Sequence, residues 1–432
     1  MRNLKVLIWF LGDNVESLYN TFAALYSHYS IEQIEIVGEL VGYKKFFQGR
    51  ELAEFPWKKV LETSFDYVIV IGINPAVPDY VTLKKTLAEK INVPSGAIIF
   101  DFEIYSEQFT FPKVCLVVIF NHRFDRNLPL LRKIYGERFS DIRFLMPFYD
   151  GADDDVIPVY ESSKQFQGYL IQAYDKLKDI PCSHYLFIGD DLIINPAFDE
   201  MNFVGRIKMY DKKFLITNFA PLNSPNMFRW SWVARSSEPF YDYFTSWKDS
   251  LYTYDEAIAK FNDFFGVKYK ETYDEAFFGN PNEPGANRIA GWNDANGFVA
   301  VVKYFMALNA NTLHIPYPMA RGYSDIFCVS KDSLFEFSRL CGIFSAMNMF
   351  VEIAIPTAVV LLYKRDDVKL LKNASVYNYI EFLSIESALI LWGKDKVAFE
   401  NKYDRDFSKL LQDWGEDLLC IHPVKLSRWK NI

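Results

Sequence analysis

Cysteine and histidine are scarce in this chain, five of each in 432 residues. Cys115, Cys182, Cys328, Cys341 and Cys420 are scattered in mostly apolar surroundings with no CxxC among them. That excludes a zinc ribbon, a thioredoxin-type motif and a dense disulfide scaffold, and the five read as reduced core residues of a protein in a reducing compartment. Glycine is thin where a dinucleotide loop would need it. After the first apolar run the chain reads Phe10-Leu11-Gly12-Asp13-Asn14, one glycine where tight turning and close approach to a pyrophosphate require three. Positive charge is in deficit, 47 Lys and Arg against 55 Asp and Glu for a net charge of −8, which argues against a binder that tracks nucleic-acid phosphates.

Membrane-length apolar runs are nearly absent too. Residues 342–363 contain no Lys or Arg, but they include Asn348, Glu352 and Pro356. A central glutamate costs several kcal/mol in lipid, so a buried helix followed by a strand is expected here and no transmembrane segment. The start, Met1-Arg2-Asn3-Leu4-Lys5, lacks a small-residue cleavage site. A cytoplasmic protein is the expectation, with peripheral membrane association left open.

What is present is an αβ chain. Half of the residues are apolar, with 39 Phe and 27 Tyr, and the length exceeds what one hydrophobic core normally supports, so two domains are expected. In residues 1–108 the runs at 4–11, 34–41, 67–72 and 97–101 have strand character and alternate with helical spacing at 14–29, 57–63 and 77–91. This predicts a small Rossmann-like parallel sheet. A proline-containing segment, Gln108-Phe109-Thr110-Phe111-Pro112, reads as a linker. A second αβ series fills 109–432, with strands at 114–120, 142–147, 156–160 and 184–189 and helices at 127–139 and 162–177. Farther on, 195–318 is irregular and rich in aromatics (among them Trp230, Trp232, Trp247 and Trp292), with a turn-rich loop at 278–287 suited to a lid and a helix at 297–308. A strand at 317–330 and a helix at 331–341 follow.

The most informative stretch is His184-Tyr185-Leu186-Phe187-Ile188-Gly189-Asp190-Asp191-Leu192-Ile193-Ile194. It runs an apolar strand into two adjacent carboxylates and back into apolar residues. Neighbouring buried carboxylates repel, and a cation is the usual reason for tolerating them; Mg²⁺ or Mn²⁺ suits such oxygens and leaves room for substrate phosphates. A second signal is Leu419-Cys420-Ile421-His422-Pro423-Val424-Lys425. Imidazole can ligate such a metal, and a lysine three residues on can neutralise a leaving diphosphate. Asp325 and Glu352, lone acids in apolar segments, are candidates for a general base.

The Asp190-Asp191 segment resembles the DxD region of metal-dependent glycosyltransferases with the GT-A fold, and the order of strands before it, over residues 113–195, is similar as well. In that register Gly189 stands at the first acidic position, a departure from the pattern. The resemblance implies an N-terminal Rossmann-like module followed by a GT-A domain, and transfer of a sugar from a nucleoside diphosphate sugar to a hydroxyl of a glycan or glycoconjugate. It implies Asp191 and His422 on a divalent metal, Mn²⁺ or Mg²⁺, with Asp190, Phe120, Asn121, Arg123 and Lys425 around the donor, and Glu352 or Asp325 as base if the reaction inverts. A noncatalytic carbohydrate- or partner-binding protein on a degenerate GT-A fold is the alternative. A glycosidase fits less well, because its paired acids must face each other across a bond.

Overall fold

The computed structural model describes residues 4–10, 15–29, 34–39, 46–47, 50–51, 65–72, 80–105, 111–222, 248–269, 272–273, 313–314, 317–374, 384–391, 393–414 and 418–432. The expected helices at 57–63 and 297–308, the lid loop at 278–287 and Trp230, Trp232, Trp247 and Trp292 lie outside the described residues.

Two sheets of unequal size carry the chain. The first has β1 (Leu4–Phe10), β2 (Ile34–Glu39), β5 (Tyr67–Ile71) and β6 (Ile98–Phe100) in the order β2-β1-β5-β6, all parallel. A two-residue hairpin, β3 (Phe46–Phe47) with β4 (Arg50–Glu51), stands apart from it. Strands β1 and β5 are apolar on both faces because one face packs with Leu18, Phe22 and Leu25 of the helix Val15–His28 and the other with Leu87, Ala88 and Ile91 of the helix Tyr80–Ile91. Phe111, read from sequence as linker, is fully buried against Tyr29 and Tyr67.

The second sheet begins with β7 (Val114–Ile119), β8 (Ile142–Pro147), β9 (Val156–Val159) and β10 (His184–Gly189), and continues in the chain with β11 (Ile193–Ile194), β12 (Phe214–Pro221), β15 (Ala320–Ser330), β16 (Val368–Ala374), β17 (Ser384–Ile390) and β18 (Leu418–His422). The short pair β13 (Thr272–Tyr273) and β14 (Leu313–His314) lies outside it. The ten strands run β11-β18-β17-β16-β12-β15-β10-β7-β8-β9. Strands β7, β8, β9 and β10 are parallel, and β15 runs against β10 and β12. The expected helix 127–139 is shorter, Leu128–Tyr135, and that at 162–177 resolves into a 3₁₀ turn and the helix Gln167–Leu177.

Chain length forces this sheet to roll. Strands β10 and β11 are joined by Asp190, Asp191 and Leu192 alone, a connection that reaches at most about 14 Å. Five strands separate them in the sheet order, which laid flat would put them about 29 Å apart. The sheet therefore curls until β18 and β11 return to the end of β10.

Residues 342–363 differ from expectation. They form the end of the helix Leu334–Ala346 and a second helix, Val351–Leu362, with no strand. An apolar segment without periodicity fits either state from sequence, and here tertiary packing decides. The helix continues through Pro356, whose ring lies against β15 where Gly322 has no side chain: a Cβ there would come within 2.9 Å of Pro356 Cγ and of Ile216 Cδ1. None of the described helices is long and apolar enough to cross a membrane. Gly322→Ala should lower stability by about 1–3 kcal/mol through overpacking. Urea denaturation checks this, and a loss under about 0.5 kcal/mol, the range of neutral surface changes, would mean the helix does not need the close approach.

Candidate functional site

Chain direction in the large sheet reverses beside β7. From β7 the chain moves outward to β8 and β9, then crosses back to β10 on the other side. In open α/β sheets such a reversal leaves a crevice beyond the carboxyl ends of the two strands, where ligands bind. Those ends are followed here by Phe120-Asn121 and Asp190-Asp191. The acids sit in a turn closed by the Leu192 amide on the Gly189 carbonyl, 3.0 Å, and both are buried, 6% and 3% exposed.

Their surroundings separate them. Asp190 accepts hydrogen bonds from Asn127 Nδ2, 3.2 Å, and from the Asn121 amide. Burial first, and the Asp191 charge second, push its carboxyl up to about 6. Asp191 receives His422 Nε2 on Oδ1 at 3.1 Å and the Lys425 ammonium on Oδ2. Burial opposes its ionisation, but these two partners outweigh burial and hold it well below the usual carboxylate range. Burial alone would lower the His422 pKa; Asp325 and Asp191 reverse that and keep it raised. The other ring nitrogen, Nδ1, hydrogen-bonds the Tyr323 hydroxyl.

His422 reaches this place from β18, the last strand of the rolled sheet. Ile193 and Ile194 pair with Ile421 and Cys420, Asn195 bonds the Leu419 carbonyl through its amide and the Leu418 carbonyl through its side chain, both at 2.8 Å, and the Val424 amide donates to the Asp191 carbonyl at 2.6 Å.

Asp325 enters from β15. While β12 advances from Leu215 to Thr217, its partner on β15 moves from Cys328 to Tyr323. Such a bulge re-aims side chains: Ser324 bonds the Val351 carbonyl, whereas Tyr323 joins the opposite core. Asp325 lies one step past the Ile188–Ile326 pair, opposite Gly189. A Cβ built on Gly189 would sit 3.5 Å from Asp191 Oδ1 and 3.6 Å from Asp325 Oδ1. The space that an acid at the first motif position would enter is thus flanked by two carboxyl groups already. Burial, reinforced by Asp191, raises the Asp325 pKa, with His422 opposing. Glu352, in the first turn of Val351–Leu362, is pushed well up by burial and then by Asp325, with Arg321 opposing.

The structure therefore brings Asp190, Asp191, Asp325, Glu352, His422 and Lys425 into one electrostatic cluster. Asn121 joins through its backbone. Phe120 does not present a face to a ligand: it is fully buried, edge-on to Phe144. Arg123 stands in an exposed loop, tied to Asp125 at 3.0 Å and Asp150 at 2.6 Å, and none of its contacts reaches Asp190 or Asp191. Sequence reasoning missed Asn127 and Tyr323. Asn127 carried a faint signal as the polar residue before an apolar helix; Tyr323, inside an apolar strand, carried none.

No protein-family model matches the chain, and no curated protein matches it. Metal capacity therefore rests on the donors. Among the described residues no group of three or more His, Cys, Asp or Glu is gathered to hold a metal ion alone. Asp191 Oδ1 and His422 Nε2, at 3.1 Å, have about the spacing of adjacent ligands on an octahedral ion bound at about 2.1 Å, and Mg²⁺ commonly takes one or two protein ligands with substrate phosphates completing its shell. As it stands the pair is an ion pair: His422 Nε2 would take an ion only after losing the proton it shares with Asp191, and Lys425 occupies the other oxygen of that carboxylate.

Asp190 makes stability depend on pH. Its raised folded pKa means that the native state keeps a proton which the unfolded chain releases, so its contribution is full below about pH 4 and is lost as pH rises toward 6. Relative to Asp190→Asn, which cannot ionise, the wild-type protein should lose on the order of 2–3 kcal/mol across that window. Urea denaturation of both proteins at pH 4 and pH 7 measures it; parallel curves would place Asp190 in a solvated setting.

Proposed function

We propose that this protein is a glycosyltransferase of the GT-A type, moving a sugar from a nucleoside diphosphate sugar to a hydroxyl of a carbohydrate or glycoconjugate. The observation that carries the reading is the meeting of Asp191 with His422 and Lys425 at the crevice where the sheet reverses. The ends of two strands, β10 and β18, supply a carboxylate, an imidazole and a cation to one point from residues as far as 231 positions apart. That set serves a diphosphate leaving group. Further support comes from the acids following the fourth strand of their series, β10, in agreement with the family resemblance.

In this reading a donor lies across the carboxyl ends of β7 and β10, with its base toward Asn121 and its diphosphate toward Asp191. Asp191 and His422 would hold the divalent ion, which as a Lewis acid takes up charge on the departing diphosphate. Lys425 adds a second positive charge there. Asp325 supplies the carboxyl that Gly189 lacks, and Tyr323 orients the imidazole through Nδ1. Glu352, the candidate base, would have to be ionised to accept a proton from the acceptor hydroxyl; burial and Asp325 hold it toward its neutral form, and Arg321 is the charge that opposes them. A noncatalytic binding protein on the same fold is the second reading, favoured by Gly189 and by the lysine already seated on Asp191.

A panel of nucleotide sugars screened by thermal shift with Mn²⁺, with Mg²⁺ and with EDTA separates the two. Ligand at 100 times its dissociation constant stabilises by about 2.7 kcal/mol, a visible shift. One donor should raise the melting temperature only with metal, and Asp191→Ala and His422→Ala should each abolish both that shift and donor turnover while the variants remain folded. Unchanged turnover in both variants would overturn the site, and donor binding without hydrolysis or transfer would favour the binding protein.

A further inference from the structure

Both oxygens of Asp191 are engaged. His422 Nε2 lies 3.1 Å from Oδ1 and the Lys425 ammonium sits on Oδ2, so the carboxylate that a divalent ion would need is already met from two sides. Of the neighbouring acids, Asp190 and Asp325 are pushed toward their neutral forms, chiefly by burial. Lys396, the next cation out, has Glu400 as its main opposing charge. One ionised carboxylate therefore faces two cationic groups, and an ion bringing two more positive charges is repelled unless one of them withdraws.

Lys425 is the one free to withdraw. His422 is 8% exposed, pairs with Ile390 across β17 and β18, and is held at Nδ1 by the Tyr323 hydroxyl. Lys425 lies past the strand. Its backbone is fixed, with the Val424 amide on the Asp191 carbonyl at 2.6 Å and the Arg428 amide on the Lys425 carbonyl at 2.8 Å. Its side chain is 42% exposed, against 5% for that of Asp191, and makes no other ion pair among the described residues. A flexible four-carbon stem that reaches in from solvent can leave without moving the backbone. We propose that Lys425 is the resident counter-ion of Asp191, and that a divalent ion binds there only by displacing the ammonium. The contact is thus autoinhibitory toward metal. A nucleoside diphosphate would offer the displaced ammonium a second place to sit, so that ion and ligand enter together; only this last step rests on the transferase reading.

Manganese is the probe, with no nucleotide present. At fixed pH and ionic strength, electron paramagnetic resonance of free Mn²⁺ should show Lys425→Met binding the ion about tenfold more tightly than the wild type, a common size for coupling between two ligands. Lys425→Arg, which keeps a cation, should bind it no more tightly than the wild type, and Mn²⁺ should raise the melting temperature of Lys425→Met more than that of the wild type. Lys425→Gln, still able to donate one hydrogen bond to Asp191, supplies the same comparison if the methionine variant does not fold. Equal or weaker binding by the neutral variants, or no binding by any of these proteins, would overturn the displacement. Tighter Mn²⁺ binding by Lys425→Met without binding of any nucleotide sugar would leave the role of the lysine standing and remove the transferase. Metal-dependent nucleotide-sugar binding with the Mn²⁺ affinity unchanged in Lys425→Met would do the reverse.

Discussion

The attachment of Asp191 to His422 and Lys425 is the interaction on which the arrangement depends. An ionised carboxylate with 3% of its surface exposed is costly unless it is paired and hydrogen-bonded. Here the partners arrive from the end of the chain, and they can do so only because a three-residue connection draws β11 back to β10 and rolls the intervening strands into a near-closed surface. The roll and the ion pair support each other. Backbone bonds from Asn195 to Leu419 and from Val424 to Asp191 close the seam, and the seam holds imidazole and ammonium against the carboxylate. Breaking such a buried pair on one side leaves an uncompensated charge, which costs about 3–5 kcal/mol.

Adjacent carboxyl groups with different surroundings divide labour. Asp190 is pushed toward its neutral form by burial and by its neighbour's charge, and it is held by the amides of Asn127 and Asn121. Asp191 stays ionised because two cationic groups face it. Asp325 and Glu352 extend the series away from the crevice, each pushed toward its neutral form, with Arg321 the charge that opposes this at Glu352. A cluster of this kind can hold protons at some positions and positive charge at others at one pH. Pairs of acids whose environments drive their pKa values apart mark acid–base chemistry more often than packing alone does.

Legibility in the sequence followed burial. Strands β7 and β10 stood out because a central parallel strand is covered on both faces and therefore reads as an unbroken apolar run. Asp190 and Asp191 stood out because charge interrupts such a run. His422 and Lys425 were legible as chemistry, and their meeting with Asp191 only through the family resemblance, since the rolling of the sheet depends on the whole strand order and not on any local pattern. Phe120 was misjudged for a related reason: next to a polar loop it looked accessible, but just past the end of β7 it is buried against Phe144. The helix through Pro356 escaped notice because the partner that admits it, Gly322, lies 34 positions upstream.

Gly189 shows why a motif read along one strand can mislead. Along the sequence the residue is a missing acid. Across the sheet it is the position opposite Asp325, and the bulge between Leu215 and Thr217 turns Asp325 toward it. An aspartate at 189 would add a carboxyl within reach of Asp191 and Asp325, where two already repel and one is held toward neutrality to relieve the strain. Glycine thus leaves that point without a third carboxyl. Asp325 thus brings a carboxyl beside Gly189 from across the sheet, and a substitution at Asp325 should be felt at Asp191 and His422 before it is felt anywhere in the core.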